Sequence, residues 1–136
     1  MALTATIARW IVRLCGLFQI VTGLLFWSGN AVTMVQFHML TGILLVLSLW
    51  VLTFVGARSG APGTLVGFAA VWGAVVFVFG MSQSGLLPGD LHWIIQTLHL
   101  LVGVAAIAIA ERLGAIVKRH RSGGGPRTAR VTGGAL

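Results

Sequence analysis

Four uninterrupted apolar runs dominate this chain, at residues 7–28, 33–57, 64–86 and 91–117. A helix needs ~20 mostly apolar residues, at ~1.5 Å rise each, to cross the hydrocarbon of a bilayer. Each run is long enough. The breaks between them are rich in turn-formers: Ser28, Gly29 and Asn30 after the first, Gly60, Pro62 and Gly63 after the second, Pro88, Gly89 and Asp90 before the fourth. Connections this short hold no domain and make neighbouring helices antiparallel. The expected fold is all-α, an integral membrane four-helix bundle of up-down-up-down topology over residues 1–120.

Composition leaves little else. Charged residues make up 8% of the chain and hydrophobic ones 57%, where a soluble domain carries ~25% charge. So small a protein has too few polar groups to cover a water-facing surface. A soluble enzyme, a disulfide scaffold and a disordered chain are all excluded. The single cysteine, Cys15, leaves no internal disulfide, no cysteine-ligated zinc and no CxxCH haem attachment, and reads as a small apolar filler.

In a soluble protein the net charge of +7 would point to nucleic acid. Here the nine basic residues (Arg9, Arg13, Arg58, Arg112, Lys118, Arg119, Arg121, Arg127 and Arg130) flank the apolar runs or lie in the tail. Four spans put both termini and the 58–63 connection on one side, and the 29–32 and 87–90 connections have no basic residue. The positive-inside rule then predicts a cell-membrane protein with both termini cytoplasmic. No nucleic-acid partner is expected. Arg13 lies in the early turns of the first run and no small-residue cleavage site follows it, so that run is expected to stay as a span. The Gly-rich basic tail, 121–136, is expected to be disordered and drawn to anionic lipid. Trp27 and Trp93 fit an outer interfacial belt and Trp10 an inner one, while Trp50 and Trp72 are deeper and should pack between helices.

The second and fourth runs share a pattern. His38 and Gly42, like His99 and Gly103, read His-x3-Gly with Gln36 or Gln96 just ahead. The first and third runs share another: Gly16 and Gly23, then Gly73 and Gly80, each pair seven residues apart and so on one helix face. Together these make a two-fold internal repeat. Counting rise from the outer connections puts His38 ~9–11 Å and His99 ~11–14 Å deep, with Gly23 and Gly80 in the same layer. In an up-down bundle the second and fourth helices stand diagonally, ~11–14 Å apart, which leaves room for a metal between two facing histidines.

That layer suits a b-type haem with His38 and His99 as axial ligands to its iron. The macrocycle would spread toward Gly23 and Gly80 and along the Gly16 and Gly73 faces. Gly42 and Gly103, one turn from each ligand, would relieve crowding beside the imidazoles. On these residues the chain resembles the bis-histidine membrane cytochromes b, whose haems lie inside four-helix bundles with glycines against the porphyrin. The resemblance implies an electron-transfer protein, exchanging electrons with quinone or a redox protein, alone or within a larger membrane complex. Because the second run has one histidine, at most one such haem fits. With no basic residue on the outer side, its propionates would hydrogen-bond Asn30, Gln36, Ser82, Gln83 or Ser84, or water. The chain also looks like small four-span bacterial membrane proteins of unassigned function, in the segments 25–30 and 96–103.

Other polar residues are expected to support rather than catalyse. His92 lies seven residues before His99 with Gln96 between them, a polar stripe suited to conducting protons or seating a quinone headgroup. Gln19 should hydrogen-bond across the bundle, Glu111 should face Arg9 or Arg13, and His120 belongs to a basic cap with Lys118, Arg119 and Arg121. No carboxylate pair, oriented histidine or phosphate-cradling loop supports hydrolytic or nucleophilic catalysis. The competing function is a non-redox membrane protein, a structural subunit or a transporter-like unit built on its repeat. A metal held by His38 and His99 without porphyrin would have too few ligands.

Overall fold

The computed structural model describes residues 1–122. It is all-α, with four helices: α1 (Ala2–Trp27), α2 (Val35–Arg58), α3 (Gly63–Ser82) and α4 (His92–Ser122). Each is long and apolar enough to cross a membrane. The tail from 123 onward, where disorder is expected, lies outside the described residues. Helix α1 begins five residues before the first apolar run, and α4 continues five past the last. The second extension has a physical reason: the basic residues Lys118 and Arg119 suit the C-terminal end of a helix. Within α1, Arg9 and Arg13 share Glu111 as their partner.

The helix ends close where the sequence breaks. After α1, Gly29 turns into the left-handed region (φ 75°) and Asn30 N–H donates to the Leu25 carbonyl at 2.8 Å. After α2, Gly60 does the same (φ 79°), and Pro62 starts α3. Glycine enters this region without the Cβ clash that other residues suffer. Ala31 (φ 58°) and Leu87 (φ 43°) adopt it too, one in each of the connections flanking the site described below.

Helices α1 and α3 each pack against both α2 and α4, and α2 also touches α4. Leu49, Leu52, Leu113 and Val12 are completely enclosed. Around them Ala5, Ala8, Ala69, Ala106 and Ala110 let backbones approach closely, the usual device where lipid is as apolar as the interface. Large apolar side chains such as Leu3, Leu17, Phe37, Leu40 and Phe54 point outward instead. Hydroxyls within the helices bond the carbonyl one turn back, as Thr53 does to Leu49 and Thr41 to Phe37, both at 2.8 Å. That keeps them satisfied away from water.

The core is lopsided. Buried apolar residues come from 5–15, 45–55, 69 and 106–117, whereas over 17–44 and 74–105 only Thr22 and Ile95 are buried. Leu49→Ala is expected to cost about 2 kcal/mol, the low end for a core leucine, because lipid receives leucine as well as the core does and the loss is packing alone. Leu40→Ala, on the outer face, is expected to change stability by under ~0.5 kcal/mol. Thermal unfolding in detergent checks both.

Candidate bis-histidine site

Where the core gives out, all four helices line an open cavity of about 500 Å³. Its walls are mainly apolar, with Gln19, His38, Gln83, Ser84, His92, Gln96 and His99 as polar exceptions. Such a volume suits a sizeable organic ligand.

His38, from the first turns of α2, and His99, two turns into α4, come together there. Their ring centroids are 6.3 Å apart, with planes inclined at 45°. First-row metals hold imidazole nitrogen at ~2 Å, and a ring centroid lies ~1 Å behind its nitrogen, so two imidazoles sharing one metal from opposite sides stand ~6 Å apart. The observed separation matches. Among the described residues there is no group of three or more His, Cys, Asp or Glu side chains. The pair thus offers two nitrogens, the number a bis-histidine haem takes from protein.

Two glycines face the two rings. A Cβ at Gly23 would meet His38 Cε1 at 3.9 Å, and one at Gly80 would meet His99 Cε1 at 3.5 Å. Each ring also has an aromatic neighbour: Phe26 lies edge-on to His38 at 5.2 Å between centroids, and Phe79 is 5.8 Å from His99.

The remaining glycines divide. Gly16 and Gly42 line the cavity, but the space beside Gly16 is taken by Ile107 and that beside Gly42 by the Gln19 amide. Gly103 lines it too, with nothing within 4 Å of a Cβ built there. Gly73 does not line the cavity. It lies against the Trp50 indole, close enough that any side chain would collide with the ring, and so serves helix packing. Trp50 donates its indole N–H to the Ala70 carbonyl at 3.1 Å and Trp72 to that of Val102 at 3.2 Å. These two bonds fix the deep tryptophans between helices.

Thr22, which sequence reasoning passed over, organises the His38 side. It is buried, and its hydroxyl donates to the Phe18 carbonyl at 2.7 Å while lying 2.6 Å from His38 Nδ1. A hydroxyl has one proton to give. When His38 carries its proton on Nδ1, the Thr22 oxygen accepts it and gives its own proton to Phe18, which leaves the His38 Nε2 lone pair free. This is the tautomer and orienting bond that metal-bound histidines use. Gln19 adds a bond from its amide to the His38 carbonyl at 2.7 Å. Position was the only signal for Thr22, next to Gly23 in an apolar run, and threonines that bond one turn back look the same in sequence.

At the mouth, Gln83, Ser84, Gln96 and His92 line the cavity, and His92 Nδ1 is 3.0 Å from the Leu86 carbonyl. Of the five polar residues expected to meet propionates, Gln83 and Ser84 are at the cavity. Asn30 bonds Ser28, and Ser82 donates to the Val78 carbonyl. Away from the cavity, Glu111 accepts from both Arg9 and Arg13, and His120 lies over Gly60.

The chain matches no protein-family model, no curated protein and no solved structure.

Proposed function

We propose that this protein is a membrane electron-transfer protein, a b-type cytochrome holding one haem between His38 and His99. The observation that carries the reading is the 6.3 Å between the two rings across a cavity bounded by all four helices. On this reading the bundle is up-down-up-down, α1–α2 and α3–α4 are repeats, and the protein resembles the bis-histidine cytochromes b. The haem then lies in the outer half of the cell membrane, with both termini cytoplasmic. Arg9, Arg13, Arg58 and Lys118, all at the opposite end from the histidines, support that orientation.

Bound haem would supply a one-electron couple at iron. The protein's part is to hold and insulate it. His38 and His99 would hold it through ring nitrogens, and Thr22 would keep His38 in the ligating tautomer. Gly23 and Gly80 place no side chain beside the imidazole edges and so would leave room for a flat group. Apolar walls exclude water, while Gln83, Ser84 and Gln96 offer hydrogen bonds to carboxylates at the mouth. A quinone in the lipid or a redox protein at the outer surface, alone or in a larger complex, would exchange the electron.

The test is the visible spectrum of the detergent-purified protein, oxidised and then dithionite-reduced. A Soret band with sharp reduced α and β bands is expected. His38→Ala and His99→Ala should each abolish that six-coordinate signature, and His92→Ala should keep it. A protein still colourless after haem is supplied would overturn the reading and favour a structural or transporter-like subunit.

A further inference from the structure

The two histidines are held differently. His38 Nδ1 has the Thr22 hydroxyl at 2.6 Å, and its helix is tied to α1 by Gln19, whose amide fills the space beside Gly42. His99 has neither support. Its Nδ1 is buried and makes no hydrogen bond to any described residue. The residue preceding Gly80 is Phe79, where Thr22 precedes Gly23, so the His99 ring meets a phenyl group instead of a hydroxyl. Beside Gly103, one turn beyond His99, there is open space where Gly42 has a glutamine.

A histidine that ligates through Nε2 carries its proton on Nδ1. For His38 that proton has an acceptor. For His99 it is buried with no acceptor among the described residues, a cost that weakens His99 as a ligand relative to His38. The space at Gly103 gives its ring room to turn aside.

Resting on the haem reading, we infer that His38 is the anchoring ligand and His99 the exchangeable one. The site therefore binds a small neutral molecule, of the size of a diatomic gas, on the His99 side. Thr22 is a positioning residue acting through His38.

Carbon monoxide added to the dithionite-reduced holoprotein is the test. The Soret band should shift, and His99→Ala should retain haem and bind carbon monoxide ~10–100-fold more tightly than wild type. His38→Ala should retain haem ~10–100-fold more weakly than His99→Ala. Phe79→Thr, which gives His99 the hydroxyl that His38 has, should weaken carbon monoxide binding ~10-fold, the low end of a second-shell effect. Thr22→Val, of nearly the same shape, should erase the difference between the two histidine variants and guards against misreading an unfolded alanine variant. A coloured wild type that ignores carbon monoxide, or equal haem retention by the two alanine variants, would overturn the inference and leave the cytochrome reading intact. A colourless wild type would remove both.

Discussion

Gly80→Leu is expected to give a folded protein without pigment, whereas Gly80→Ala keeps most of it. The difference lies in reach. A Cβ at Gly80 would stand 3.5 Å from His99 Cε1, and one at Gly23 3.9 Å from His38 Cε1, both ordinary van der Waals contacts. One methyl fits. Leucine carries three further carbons into the cavity beside His99, where the proposed haem would lie. Folding should survive, because the space they fill belongs to the cavity rather than the core. Gly73→Leu should behave in the opposite way, since its side chain would drive into the Trp50 indole and break the bond to Ala70. Overpacking a tight contact costs about 1–3 kcal/mol. Soret absorbance per protein, read beside the thermal midpoint in detergent, separates the two glycine roles. Pigment retained in Gly23→Leu and Gly80→Leu alike would mean that nothing flat occupies the layer.

Glu111→Gln is expected to lower stability more than other polar substitutions, because one carboxylate serves two arginines. Arg13 grips the carboxylate with two bonds, 2.7 Å from Nε and 2.9 Å from the terminal nitrogen, and Arg9 binds the same group. The aliphatic part of Arg9 lies over Gly114, too close for any side chain there. Arg9 therefore cannot swing away without leaving its packing. Removing the shared carboxylate leaves two cations beside one another, with Arg9 held in place by its packing while the more exposed Arg13 is free to turn toward solvent. Arg112→Gln, at the exposed neighbouring position, is expected to shift stability by under ~0.5 kcal/mol. Thermal midpoints of the two variants in the same detergent make the comparison, and equal midpoints would show that the triad contributes nothing.

The spans were readable from sequence because a bilayer demands a fixed length of apolar helix, and Gly29, Gly60 and Pro62 mark where that length ends. The meeting of His38 and His99 was readable for a related reason: a helix is a ruler, and counting rise from each connection put both at similar depth. Counting cannot say which way a side chain points. Helices α2 and α3 are apolar all round, so no polar face reveals their rotation. For that reason Gly16 and Gly73 looked like partners of Gly23 and Gly80, although Ile107 and Trp50 fill the spaces beside them. Glu111 was assigned to one arginine or the other, while side-chain length lets it take both. Thr22 went unnoticed because its role exists only through a ring contributed by another helix.

The uneven core has a consequence for how the molecule breathes. Free energy of opening follows local burial, so a protein packed tightly along part of its length and hollow along the rest unfolds in stages. Leu49, Leu52, Leu113 and Val12, with Ala69 of α3, form a stem that holds the four helices in register. Beyond it, the segments carrying His38 and His99 meet across a cavity and have few enclosed neighbours. Those segments can part while the stem stays closed. On the proposed haem reading, the prosthetic group would not have to be trapped during folding: it would enter between the helix tips of an already assembled protein and, by bridging them, supply the missing half of the core.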